Sequence, residues 1–163
     1  MPEDGHRYEL VDGVLIVSPS PRLLHQRAVS RLLVLLVGAA LPEIEVLTGT
    51  FDYVVSDVTV LIPDIVAARA TDYGELNLQR TPLLVVEVFS PSTRRFDLGT
   101  KRLALEGAGV PSYWLVDPDE PSITVLDLEG DTYRETAHVV GDDAFSTTRP
   151  FPVRVVPADL VRS

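Results

Sequence analysis

The 163-residue sequence contains no cysteine and a single lysine, Lys101. Without thiols the chain cannot form a disulfide, a thiolate zinc site or a cysteine nucleophile. Every other basic residue apart from the histidines is an arginine, so the composition disfavours lysine. The retention of one lysine therefore calls for a specific reason at its position.

Targeting and membrane signals are also missing. The N-terminus, MPEDGHRYEL, has no basic segment followed by an apolar one, so it does not resemble a signal peptide. The longest apolar stretch, LLVLLVGAALP, is too short to cross a bilayer. We therefore expect a cytoplasmic protein without a membrane segment, and the length predicts one domain over residues 1–163.

Positive charge is scarce. The chain has 14 basic and 24 acidic residues, a formal net charge of −10. Such a balance opposes general binding to polyanions and argues against a nucleic-acid substrate. A divalent cation held by acidic residues can offset this locally, because it also binds phosphate.

Local patterns predict a mixed sheet flanked by helices, an α/β fold in the sense of an α+β mixed sheet. Residues 8–17 read as a β-hairpin turning at Asp12-Gly13. A helix is expected over 21–41, with start signals at Ser20-Pro21. Residues 43–69 read as two strands joined around Ser56-Asp57, and PLLVVEVF as a central strand covered on both faces. A second helix is expected over 97–108, capped by Asp97.

Three ionisable residues occupy positions where these patterns predict apolar ones. Asp64 follows Pro63 in an apolar strand, and Glu87 interrupts LLVVEVF. Lys101 shares a helical stripe with four apolar residues, namely Leu98, Ala104, Leu105 and Ala108. An unpaired buried charge costs several kcal/mol. We therefore predict that the three groups meet, either in a structural ion pair or in a functional site.

Two further polar residues are weaker candidates. Glu9 shares a hairpin face with Val11 and Val14, so it either joins the cluster or points to water at an edge. His25 opens the apolar stripe of the first helix, where a histidine is more often a core or capping group than a ligand.

The ordered motifs YELVDG, HQR, PD, LLVVEVFSPST and AGVPSYWLVDP, with Lys101 between the last two, resemble the Uma-two family. Members of the Uma-two family are restriction-endonuclease-like proteins of the PD-(D/E)XK superfamily. The resemblance covers about residues 8 to 128 closely and implies a restriction-endonuclease-like core.

The resemblance also assigns roles by position. Asp64 matches the aspartate of the PD element and Glu87 the second acidic residue. In the standard pattern a lysine lies two residues after that acid, where this chain has Phe89. Family members are thought to supply the lysine from the following helix, which fits Lys101. By the same resemblance Glu9 joins the metal shell and His25 lies near the site, which completes the expected catalytic set.

The implied reaction is Mg²⁺- or Mn²⁺-dependent hydrolysis of DNA phosphodiester bonds. Asp64, Glu87 and the backbone carbonyl of Val88 are the expected metal ligands, since magnesium prefers hard oxygen atoms. Lys101 is expected to orient water and offset charge on the phosphate. The loop SPSTRR follows directly, and its Ser90, Arg94 and Arg95 are either phosphate contacts or an ordinary polar turn.

Two other functions fit the same residues. One is a nuclease-fold binding or assembly module without turnover, which the acidic charge favours. The other is a metal-dependent hydrolase of a small phosphorylated molecule, which requires a closed pocket. The apolar segment PFPVRVV either pairs with a second subunit in a homodimer or covers the sheet of its own domain.

Overall fold

A computed structural model of the chain describes residues 6–49 and 51–162. The strands are β1 (Arg7–Val11), β2 (Val14–Ser18), β3 (Ile44–Thr48), β4 (Asp52–Ser56), β5 (Thr59–Leu61), β6 (Ile65–Arg69), β7 (Asn77–Leu78), β8 (Leu84–Val88), β9 (Ser112–Asp117), β10 (Ser122–Glu129), β11 (Thr132–Val140), β12 (Phe145–Thr147) and β13 (Val153–Val155). The helices are α1 (Leu23–Ala39), α2 (Arg94–Phe96), a π-helical turn (Asp97–Lys101) and α3 (Arg102–Gly107), with 3-10 turns at Ala70–Asp72 and Pro157–Leu160.

A six-stranded mixed sheet forms the centre of the fold, in the order β11-β10-β9-β8-β6-β3. β8 and β9 run parallel, and the other neighbouring pairs are antiparallel. A five-stranded sheet, β2-β1-β5-β4-β7, and the β12-β13 pair complete the architecture. The fold is therefore mixed α/β, as the sequence predicted.

The central strand β8 is buried along its whole length because both of its faces are covered. Leu84, Val86 and Val88 pack in the core that contains α1 residues. Val85 and Phe89 pack in the second core, which contains residues of α3 and of the five-stranded sheet. Since successive side chains of a strand alternate between faces, Glu87 belongs to the second face.

The N-terminal hairpin and the first helix lie close to their predicted places. Asp12 and Gly13 both have positive φ, 49° and 78°, as the predicted type I′ turn requires. The helix spans Leu23–Ala39, but its cap residue is Arg22, without a side-chain hydrogen bond, so the predicted capping by Ser20-Pro21 is wrong.

No helix within the described ranges is long and apolar enough to cross a membrane.

Residues 43–69 form four strands, so the prediction of two strands is wrong. β3 and β6 pair in the central sheet, whereas β4 and β5 pair in the five-stranded sheet. The chain thus leaves one sheet and returns to it within a single apolar segment. Hydrophobic periodicity reports only which residues are buried, and it cannot reveal such a change of sheet.

The second helical region begins at Arg94, three residues before its predicted start. Asp97 is consequently not a helix cap but an internal, buried residue of the π-helical turn. The C-terminal segment also has an internal role. Val153–Val155 pairs with β12, and Phe151 and Val155 are buried in the core beneath α1. The C-terminal segment therefore covers the core of its own domain, which is one of the two uses expected for it.

Gly49 packs against the segment that carries Asp64. Its N–H donates to the Asp64 carbonyl at 3.0 Å, and a Cβ added at Gly49 would lie 2.7 Å from the carbonyl oxygen of Pro63. Both contacts involve backbone, so neither can be relieved by a side-chain rotation. A glycine is therefore required here to hold Asp64 in place.

We predict that Gly49→Ala lowers the free energy of unfolding by about 1–3 kcal/mol, because the backbone must move to relieve the contact. Urea denaturation followed by circular dichroism measures the change. Gly38→Ala in α1 is the matched control, since a Cβ there meets nothing within 4 Å. That control should be neutral or stabilising by up to about 1 kcal/mol. Equal stability of the two variants would contradict the requirement.

Candidate active site

Asp64 and Glu87 face each other across two neighbouring strands. β6 and β8 are antiparallel, with Ile65 opposite Val86. Continuing this register by one residue places Asp64 opposite Glu87, the separation at which cross-strand side chains interact directly. The Val88 N–H donates to Asp64 Oδ2 at 2.8 Å, which fixes the carboxylate against β8. The two acids predicted from the sequence are therefore neighbours.

Lys101 reaches the same place from the helical region that follows β8. Its Nζ lies 2.7 Å from Glu87 Oε1 and 2.7 Å from Glu9 Oε1, and the side chain is fully buried. The ring centroid of Phe96 is 5.6 Å from the ammonium. Both carboxylate oxygens are thus within direct contact distance of the ammonium. The contacts are ion pairs, which depend mainly on distance.

The π-helical turn determines which side chains point into the cluster. It places Asp97 and Lys101, four residues apart, on the buried side. Leu98, predicted to share the buried stripe with Lys101, is 44% exposed, so that prediction is wrong. A π turn contains more residues than an α turn, and it therefore shifts the buried stripe relative to α-helical spacing.

Asp64 is held by three donors. Arg7 NH1 donates to Oδ1 at 2.7 Å, and His25 Nε2 lies 3.1 Å from Oδ2, which also accepts from the Val88 N–H. Because an ionised carboxylate can only accept, His25 carries its proton on Nε2 in this arrangement. His25 thus contacts the cluster directly, in addition to lying on the buried face of α1.

Glu9 is 2% exposed, so the alternative in which it points to water is wrong. Besides its contact with Lys101, Oε1 accepts a hydrogen bond from the Ile62 N–H at 2.8 Å. This bond ties β1 to the segment that leads into Asp64. Glu9 therefore connects the ammonium to β1 and to the segment before Asp64.

Burial dominates the protonation of the cluster. It raises the pKa of Glu87 well above its usual value, an effect that the Lys101 charge opposes and the Asp64 charge increases. Burial by itself would lower the pKa of Lys101, but the charges of Glu87 and Glu9 outweigh it and keep that pKa above its usual value. The ammonium therefore remains charged.

Asp64 and Asp97 are shifted in opposite directions. Burial tends to raise the pKa of Asp64, but the His25 hydrogen bond and the Arg7 charge hold it well below its usual value. Burial raises the pKa of Asp97 to about 6, because the nearby Lys101 charge only partly compensates. Asp64 is thus the carboxylate that stays ionised most firmly.

Two residues of the cluster were not predicted from the sequence. Arg7 lies two residues before Glu9, on the same face of β1, so strand alternation was the available signal. Asp97 lies four residues before Lys101, a spacing that places two residues on one helix face. Arg7 lay just outside the hairpin predicted over residues 8–17, and Asp97 was interpreted as a helix cap.

The residues predicted as phosphate contacts lie at the start of the helical region. Ser90 Oγ is 2.9 Å from Ser92 Oγ and 3.0 Å from Thr93 Oγ1. Arg94 is ion-paired with Asp117, and its guanidinium lies 4.6 Å from the Phe89 ring centroid. Arg95 is exposed. Their phosphate contacts remain predictions.

The donor chemistry of the cluster fits a divalent cation. Four carboxylates, those of Glu9, Asp64, Glu87 and Asp97, are accompanied by two permanent cations, Arg7 and Lys101. Asp97 Oδ2 is buried without a hydrogen bond, whereas Glu87 Oε1 lies 2.7 Å from the Lys101 ammonium. Across residues 6–49 and 51–162, no three acidic or histidine side chains are already arranged around one point. A cation at Asp64 would therefore share or replace the contact of Arg7.

We predict that Asp97→Asn changes the pH dependence of stability. Because the folded protein binds this proton more tightly than the unfolded chain, Asp97 destabilises the protein as pH rises from about 4 through 6. Over that pH range the free energy of unfolding of the variant should rise by about 3 kcal/mol relative to that of the wild type. Urea denaturation at several pH values measures the difference, with Asp57→Asn in an exposed turn as control. A difference that is constant with pH would contradict the assignment.

Comparison with known proteins relates this geometry to a family. None of the curated proteins compared with the chain matches it. Among solved structures, it is similar to a crystal structure described as that of a "putative nuclease belonging to DUF820" from Anabaena variabilis, with a TM-score of 0.80 and 19% sequence identity. The match covers 99% of this chain and 93% of that one. The family model Uma2, described as "Putative restriction endonuclease", matches residues 1–159, and the chain therefore belongs to the Uma2 family.

Proposed function

We propose that this protein is a divalent-metal-dependent endonuclease that hydrolyses phosphodiester bonds of DNA. The observation that carries the proposal is the convergence of Asp64, Glu87 and Lys101, distant in sequence, in one buried cluster. The membership of the chain in a family described as restriction endonucleases supports the reaction class. Electrostatic arrangements of this kind mark functional sites because burying them is costly.

Asp64, Glu87 and the backbone carbonyl of Val88 would hold Mg²⁺ or Mn²⁺. The Val88 amide already contacts Asp64, so the three groups lie side by side at the end of β8. When bound, the cation supplies charge stabilisation on the phosphate and activation of water. It also reduces the excess of negative charge among the four carboxylates.

Lys101 provides a fixed positive charge behind the acids. The ammonium is enclosed and contacts Glu9 and Glu87 directly, so its charge acts on these carboxylates without intervening solvent. It holds both carboxylates in position and would offset the charge that develops on the phosphate, and it would orient the attacking water through those carboxylates rather than by direct contact. An arginine would fit poorly, because its planar fork cannot act as a point charge between two oxygens.

His25 and Arg7 set the orientation of Asp64. The His25 Nε2–H keeps Oδ2 against β8, while Arg7 contacts Oδ1 and the carbonyl oxygen of Ile62 at 3.2 Å. Arg7 is the more exposed of the two, so it is the group that moves when a cation or a phosphate approaches. Released from Asp64, its guanidinium would contact a phosphate oxygen.

Nucleic acid is the proposed partner despite the net charge of −10. The cation and Arg7 supply positive charge where the phosphate is cleaved, and Ser90, Arg94 and Arg95 are proposed as further backbone contacts. Few such contacts imply weak binding with a small dependence on salt.

We predict that Asp64→Asn lowers Mg²⁺-dependent cleavage of DNA by about 1000-fold, because several kcal/mol of charge stabilisation are removed. Lys101→Gln should cause a comparable loss for the same electrostatic reason. Cleavage of a labelled oligonucleotide with and without EDTA measures both. Asp57→Asn in an exposed turn is the matched control and should retain full activity. Wild-type cleavage by Asp64→Asn would rule out the proposed site.

Because truncating a partner of buried charges is destabilising, each variant is first checked for folding by circular dichroism. Asp64→Asn preserves side-chain shape, so it keeps the test valid if Lys101→Gln unfolds. Absence of cleavage in the wild type under every metal condition would favour the binding or assembly module instead.

We predict that Arg7→Met strengthens Mn²⁺ binding by about tenfold, since a positive charge within roughly 10 Å of the cation is removed. Isothermal titration calorimetry measures the affinity directly. Arg80→Met is the matched control, because it makes the same change in net charge at an exposed loop position and should leave the affinity unaltered. Asp64→Asn should abolish both the binding and the Mn²⁺-induced rise in Tm. Weaker Mn²⁺ binding by Arg7→Met would show that Arg7 does not compete with the cation.

A further inference from the structure

A cavity of about 420 Å³ opens directly onto Asp64. Its walls come from the start of β1, the loop between β2 and α1, the first turns of α1 and the end of β3. Among the described residues that line it, Asp64 is the acidic one and Arg7 the permanently charged basic one. Glu87, Glu9 and Lys101 do not line it. The cavity therefore meets the cluster at Asp64, Arg7 and His25.

The size of the cavity limits what can enter. Pockets for small ligands are typically about 300–1,000 Å³, and this cavity lies in the lower half of that range. A base that remains paired and stacked within a duplex cannot enter such a space, because its neighbours come with it. A single unpaired nucleotide is of a suitable size.

The chemistry of the walls matches the two ends of a nucleotide. Tyr8, Pro19, Pro21, Val29 and Ile62 give the cavity a largely apolar wall that includes one aromatic ring. Apolar and aromatic surfaces bind the faces of bases without selecting among them. At Asp64, the Arg7 guanidinium offers the fork geometry that pairs with phosphate.

We propose that this cavity binds one unpaired nucleotide, with its base against the apolar wall and its phosphate at Arg7 and Asp64. The proposal rests on the proposed nuclease function and adds a substrate preference to it. The enzyme then acts on single-stranded DNA or on a nucleotide turned out of a duplex. A free mononucleotide and a nucleotide within a strand share the chemistry that the cavity recognises.

The test fills the cavity without altering the charged cluster. Gln26 is exposed on α1 and lines the cavity, so Gln26→Trp narrows it. Ser30→Trp, one helical turn further along, is the matched control, because Ser30 is exposed and does not line the cavity. Thr48→Trp narrows the cavity from the end of β3 and serves if Gln26→Trp fails to fold.

Binding of thymidine 5′-monophosphate and of the single strand (dT)5 to the full chain is measured by calorimetry and by ligand-observed NMR. We expect Gln26→Trp to weaken both by more than about tenfold and Ser30→Trp to change neither by more than about twofold. Thymidine and deoxyribose 5-phosphate should each bind more weakly than the intact nucleotide. Binding of (dT)5 alone would assign the cavity to a nucleotide within a strand, and binding of both probes would also admit free nucleotides.

Three binding results would overturn the inference. These are failure of both probes to bind, equal binding by deoxyribose 5-phosphate, and unchanged binding by Gln26→Trp and Thr48→Trp. Wild-type Mg²⁺-dependent cleavage by both filled variants would also overturn it while leaving the nuclease function intact. Conversely, nucleotide binding that Gln26→Trp removes, in a protein that cleaves no DNA, would support the cavity and refute the nuclease function.

Discussion

The burial of the Lys101 ammonium between Glu9 and Glu87 is the interaction on which the rest of the site depends. It joins three elements that are remote in sequence, β1, β8 and the π-helical turn, at one point inside the second core. Buried ion pairs are seldom more stabilising than well-packed apolar groups, whereas removing one partner leaves a costly unpaired charge. The ion pairs therefore restrict which side chains can occupy positions 9, 87 and 101 more than they increase overall stability.

The relation between Lys101 and β8 clarifies how this chain differs from the standard superfamily motif. The motif places its lysine two residues after the second acid, on the same face of the strand. Here that position is Phe89, which is buried in the second core and carries the Arg94 guanidinium over its ring. The ammonium instead approaches Glu87 from the helical region. Glu87 thus pairs with an ammonium group from the π-helical turn rather than from its own strand. The π turn shifts the buried side chains relative to α-helical spacing.

Charge in the cluster is arranged in two layers. Glu87, Glu9 and Lys101 form an inner layer that is closed to solvent, while Asp64, Arg7 and His25 form an outer layer beside the cavity. The donors that face Asp64 hold its pKa low, whereas burial raises the pKa of Glu87 despite the opposing charge of Lys101. In the proposed metal site, cation binding would be coupled to proton release, since metal ligands must be deprotonated. The cavity connects only the outer layer to solvent, so the inner layer acts through the carboxylates it holds.

Local sequence pattern was sufficient for the hairpin, for α1 and for the buried strand β8, because each depends on periodicity within a few neighbouring residues. It also identified Asp64, Glu87 and Lys101 as ionisable groups in apolar surroundings. The prediction that they meet followed from the free-energy cost of burying them apart. The pattern could not separate β3 to β6, since a change of sheet leaves the burial period unaltered. Strand alternation and four-residue spacing could have placed Arg7 and Asp97 on the faces of Glu9 and Lys101. They could not show which groups those faces meet, because that follows from the π-helical turn and from contact between the two sheets. The sequence by itself determined which groups needed partners, and the tertiary structure decided which partners they received, because ion pairing depends on distances between elements that no local period encodes.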